Sequence, residues 1–112
     1  MFTKVYGPMA ADTQSLLDSA YPDMGYFSKT IGYGFIYGQT RHVSNLEFSY
    51  VVLASLIATD VPLQLRWHLA GARRNGASEE QVRAVRGMAI EIAKTAGVLS
   101  ENGTPNFLKE GL

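Results

Sequence analysis

The chain has 112 residues, 46% hydrophobic and 18% charged, with ten basic residues balanced by ten acidic ones. That length points to one small domain, and neutrality removes the electrostatic attraction that would hold DNA, RNA or an anionic membrane. The sequence contains no Cys, which excludes a disulfide framework, a thiolate nucleophile and dithiol redox chemistry.

Residues 1–11 carry Gly7 and Pro8 without clear periodicity and read as an N-terminal arm. They lack the long apolar core of a signal peptide. The longest nearly apolar run, Phe48 to Ala58, is shorter than the about 20 residues of a membrane span. The expectation is a soluble, cytoplasmic protein. Asp12 can cap a short helix from Thr13 to Ala20 that buries Leu16, Leu17 and Ala20. Pro22 ends it by pushing Tyr21 out of the α region.

From 22 to 38, Met24, Phe27, Ile31, Phe35 and Gly38 fall on one helical stripe. A helix is expected despite Gly25, Gly32, Gly34 and Gly38, each of which costs roughly 1 kcal/mol relative to Ala. Gly32-x-Gly34-x-x-x-Gly38 does not match the dinucleotide fingerprint, which needs a preceding strand. Tyr26, Tyr33 and Tyr37 lie off the stripe, where each suits either a pocket wall or a core position with a satisfied hydroxyl.

Ser44-Asn45-Leu46-Glu47 forms a capping-box pattern. The helix behind it, to about Thr59, is apolar almost all round and asks to be buried on most sides. A chain this short can scarcely cover it, so a homo-oligomer is expected. Pro62 suits the first position of the next helix, which ends at Asn75-Gly76. Leu65, His68, Leu69 and Ala72 share one of its faces, with Gln64 one turn before His68. Arg73 and Arg74 suit its C-terminal dipole. Ser78-Glu79-Glu80-Gln81 is a second capping box, opening a helix striped by Val82, Val85, Ala89, Ile92 and Ala96 and closed by Gly97. The organisation expected is an arm over 1–11, an all-α domain over 12–97 and a tail over 98–112.

The run from Leu63 to Val82, LQLRWHLAGARRNGASEEQV, resembles the core of the carboxymuconolactone decarboxylase family, whose motif has the form E-L-x-x-H-x-x-x-A-x-x-N-G-x-[ST]-x-E-E-[LIV]. The likeness extends more loosely over 13–97. It implies an all-α helical bundle of the carboxymuconolactone decarboxylase or alkylhydroperoxidase-D-like type, assembled as trimers or hexamers. The alkylhydroperoxidase branch carries C-x-x-C-x-x-x-H. Aligned on His68, its cysteines fall on Val61 and Gln64, so thiol peroxidase activity is excluded. The acid of the decarboxylase branch, four residues before the His, is matched by Gln64.

The chemistry implied is that of a cofactor-free lyase or isomerase acting on a small carbonyl or lactone carboxylic acid. His68 would move the proton, Gln64 would polarise the oxygen, and Glu47, Asp23 or Asp60 would stand in for the lost acid, with helix capping the structural alternative for Asp60. Trp67, Arg66, Tyr33 and Asp23 are candidate substrate contacts, Arg66 through a carboxylate. Each has a structural alternative: a hydrogen-bonded core position for His68, the capping box for Glu47, core or interface for Trp67 and solvent for Arg66. His42 and His68 have no partners at metal-ligand spacing, so neither a metal nor a cofactor is expected. The alternative function is a non-catalytic, oligomeric small-molecule-binding or structural protein.

Overall fold

The computed structural model describes residues 1–98, and these are helical without a strand. The chain forms α1 (Phe2–Tyr6), a 3-10 turn (Gly7–Met9), α2 (Ala10–Ala20), α3 (Pro22–Tyr26), a π-helical segment (Phe27–Ile36), α4 (Asn45–Ala58), α5 (Pro62–Arg74) and α6 (Glu79–Thr95). Of the tail expected over 98–112, residues 99–112 lie outside the described range.

The second half folds as its local signals dictate, except at the end of α6, where Ile92 (69% exposed) and Ala96 of the expected stripe face outward and Ala93 is buried instead. Both capping boxes form. Ser44 Oγ accepts the Glu47 backbone N–H at 3.2 Å while the Glu47 carboxylate accepts the Ser44 N–H at 2.8 Å. Ser78 and Gln81 repeat the exchange at 3.1 and 2.9 Å. The C-termini close equally cleanly. At the end of α5, Gly76 N–H bonds Arg73 O and Ala77 N–H bonds Ala72 O, with Gly76 at φ 100°. Gly97 and Val98 repeat the pattern onto Lys94 and Ala93. These are Schellman closures, which need a residue that tolerates positive φ. Leu53, Ile57, Leu65, Leu69, Ala72, Val82, Val85 and Ala89 then make one aliphatic core among α4, α5 and α6, with Leu53 and Leu65 only 1% exposed.

The first half departs from its local signals. The stretch read as an arm is helical, and Phe2 and Val5 are buried. Helix α1 lies on α5 at Gly71, where an added Cβ would stand 2.9 Å from Val5 Cα. Arg74 secures the contact by donating from Nη1 to the Val5 carbonyl at 2.6 Å. Gly7, at φ 55°, turns the chain beneath that guanidinium. Helix α2 starts at Ala10 without a side-chain cap, so Asp12 lies inside its first turn. Leu16 is 62% exposed, Ala20 is exposed and Leu17 is half-buried, so the expected apolar contact of α2 is absent.

The stripe over 22–38 fails for a geometric reason. From Phe27 to Ile36 the helix runs with the wider π spacing, its last bond being Tyr37 N–H to Gly32 O at 2.8 Å. A wider turn does not keep residues three and four apart on one side. Phe35 is consequently 72% exposed, while Tyr33, off the expected stripe, is buried; Met24, in α3 before the π segment, and Phe27, at its start, are exposed as well.

Candidate functional site

The π segment carries Tyr33 against α1 and α5. Phe2, Val5 and Tyr33 form a second buried cluster, flanked by Tyr6 and Tyr37. The Phe2 and Tyr33 rings meet edge-on at 5.1 Å, and Tyr37 links the cluster to Phe48 of α4 at 4.5 Å. Offset and edge-on ring pairs of this kind add to the energy of burial.

His68 projects from α5 into this cluster. Its Nε2 lies 3.3 Å from Tyr33 Oη, and Tyr33 Oη lies 3.0 Å from Tyr6 Oη. The chain of hydroxyls and imidazole has two self-consistent polarities. Either Tyr6 donates to Tyr33 and Tyr33 to His68, or His68 Nε2–H donates to Tyr33 and Tyr33 to Tyr6. Burial lowers the His68 pKa from 6.5 to about 4, so the imidazole is neutral at pH 7. Burial, then the Tyr6 hydroxyl, pushes Tyr33 well above the ordinary tyrosine range, so it keeps its proton.

The other candidate residues are dispersed. Gln64 is exposed, and no hydrogen bond joins it to His68 among the described residues. Glu47 is occupied by the Ser44 capping box, whose N–H and hydroxyl hold its carboxyl below its usual pKa. Asp23 sits exposed in the first turn of α3, where Tyr21 Oη donates to it at 3.4 Å. Asp60 adopts positive φ at the α4–α5 connection, a conformation Asp tolerates better than most residues. Trp67 and Arg66 line a separate cleft of about 140 Å³ on the far side of Tyr6, shared with Met9 and Arg74. The Trp67 and Tyr6 rings meet there at 6.0 Å. No group of three or more His, Asp or Glu gathers as a metal site among the described residues. None of the described helices is long and apolar enough to cross a membrane.

Tyr6 and Arg74 were missed as site residues. The signal for Tyr6 is present in the sequence, since Phe2, Val5 and Tyr6 have the i, i+3, i+4 spacing of a helix face. Gly7 and Pro8 immediately afterwards masked it. Arg74 carries no such signal, because its role depends on where α1 docks.

The chain is similar to Peroxisomal protein 2 of Saccharomyces cerevisiae. Identity is 37% over 102 residues, covering 91% of this chain and 36% of the yeast protein. Peroxisomal protein 2 of Schizosaccharomyces pombe is 36% identical over 97 residues, covering 87% of this chain and 46% of that protein. The chain thus spans less than half the length of these curated relatives. No family model matches the chain, and no solved structure matches it. These findings correct two expectations. The relatives' names point to the peroxisome rather than to a decarboxylase-like lyase, and to the peroxisome rather than the cytoplasm. They give the carboxymuconolactone decarboxylase resemblance no support.

Proposed function

We propose that the chain is a non-catalytic, small-molecule-binding helical module of a peroxisomal protein. The observation that carries this reading is the setting of His68. Its imidazole is half-buried against Tyr33, its pKa is lowered to about 4, and the position that would supply an acid holds an exposed Gln64. A proton-transfer catalyst works best with a pKa near its operating pH, and this environment drives His68 the other way. The similarity to proteins named for the peroxisome supports the compartment.

The same reading includes self-association. Val51, Leu63, Met88 and Ile92, on α4, α5 and α6, are large apolar side chains left exposed in the single chain, and a second copy would cover them. A monodisperse monomer in sedimentation at micromolar concentration would remove this part. The kinship with the carboxymuconolactone decarboxylase family is likewise a proposal. Its support is the motif over 63–82 and the α5–Asn75-Gly76–α6 hairpin those residues build.

The functional test incubates the purified chain with small carboxylic acids that raise its melting temperature and follows each acid by proton NMR. The expected result is binding with every acid recovered unchanged, for the wild type and for His68→Ala. Conversion that disappears in His68→Ala would overturn the non-catalytic reading. A fluorescent fusion that fails to co-localise with a peroxisomal marker would overturn the compartment.

A further inference from the structure

We propose that the cleft between α1 and α5 binds a small organic monocarboxylate, with Arg74 taking the carboxylate and Trp67 and Tyr6 walling its apolar body. The inference rests on the small-molecule-binding reading and names the ligand class and its place. The cleft holds about 140 Å³. A cavity of about 150 Å³ suffices for a benzene-sized ring, which bounds the ligand to roughly that size.

The wall chemistry selects the class. Arg74 stands at this wall beside Trp67, Tyr6 and Met9. That sets one guanidinium beside aromatic surface. A planar guanidinium fork matches a carboxylate in two parallel bonds, and indole and phenol rings suit a flat or aliphatic body. A bare inorganic anion would leave that apolar wall unused.

Arg74 is also prearranged. Its Nη1 bond to the Val5 carbonyl, at 2.6 Å, uses one of five N–H donors and fixes the plane of the fork, leaving donors for an incoming anion. Holding a side chain in its bound conformation before the ligand arrives lowers the entropy cost of binding. Tyr6 belongs both to this wall and to the hydroxyl chain ending at His68, so occupancy is felt by the buried cluster.

The experiment titrates the full chain with sodium benzoate while following the emission of Trp67, the only tryptophan. Benzamide serves as the neutral isostere and sodium sulfate as an anion without an apolar body. The expected result is a saturable emission change with benzoate and at least about tenfold weaker binding of benzamide and of sulfate. Arg74→Gln is expected to weaken benzoate about tenfold with unchanged far-UV circular dichroism. Arg83→Gln, which removes a cation on α6 paired with Glu79, is expected to leave the affinity within about twofold.

Benzamide or sulfate binding as tightly as benzoate would overturn the proposal, and this comparison on the wild type holds even if Arg74→Gln unfolds. Benzoate heat in calorimetry without a Trp67 response would remove the cleft while leaving the binding reading intact. Benzoate consumed during the titration would remove the non-catalytic reading while Trp67 still reports on the cleft.

Discussion

The two halves of this chain are both helical, yet different forces hold them. Helices α4 and α6 open on capping boxes, α5 opens on Pro62, α5 and α6 close in Schellman turns, and the three pack through a continuous aliphatic core. The segment from α1 to the π helix lacks side-chain N-caps. Its buried contacts are a ring cluster, a glycine contact at Gly71 and one arginine bond to a backbone carbonyl. Local chemistry specifies the first region. The second takes its shape from the surface the first offers, and the candidate site lies along the junction.

The largest expected effect tests the aliphatic half. Leu65→Ala empties a position 1% exposed at the centre of the α4–α6 core. It should lower unfolding free energy by about 2–5 kcal/mol, measured by urea titration. A loss below about 1 kcal/mol would mean the core relaxes around the cavity and would weaken the contrast.

The next tests the aromatic half through pH. The folded-state pKa of His68 lies at about 4, against an unperturbed 6.5. Between those values the unfolded chain holds a proton that the folded chain does not. Stability from this group is therefore fully present above pH 6.5 and lost as pH falls toward 4, an effect on the order of 2–3 kcal/mol. Urea titrations from pH 4 to 7 should show the slope, and His68→Phe should flatten it. An unchanged slope in the variant would show that other groups set it.

Gly71→Ala tests the junction. Alanine gains about 1 kcal/mol of helix propensity over glycine, but the new Cβ would stand 2.9 Å from Val5 Cα. Overpacking of that kind costs about 1–3 kcal/mol. The net expectation is a loss of about 1 kcal/mol together with a change in Trp67 emission as α1 moves. A stabilised variant with unaltered emission would show that α1 is not held there.

The smallest effect concerns a cap. Ser44→Ala removes the acceptor for the Glu47 N–H and should cost about 1 kcal/mol in thermal or urea unfolding. Trp67 emission in the native state should be unchanged, because the α1 junction is untouched.

Several features were legible because they depend on neighbours in sequence. Ser44 and Glu47, Ser78 and Gln81, Pro62 and Gly76 mark helix ends through bonds spanning a few residues, and the structure places them as read. Leu65, Leu69, Val82 and Val85 declare their faces by spacing. The stripe over 22–38 was misread because spacing arguments assume an α turn, and a π turn moves Tyr33 inward and Phe35 outward. The oligomer expected from α4 turned on which apolar faces remain uncovered, a question of long-range packing.

The site divides along the same line. His68 and Gln64 were singled out by the resemblance carried on the run from Leu63 to Val82. That Glu47 serves its own helix end was offered by the Ser44 pattern and decided by the bonds it makes. Only the tertiary structure set His68 against Tyr33, brought Tyr6 between His68 and the Trp67 cleft, and turned Arg74 from a surface charge into the clamp on α1. The reason is physical. Capping and periodic burial arise within a turn or two of helix, whereas a pKa lowered by burial and a cleft between two helices exist only once distant segments have excluded water together.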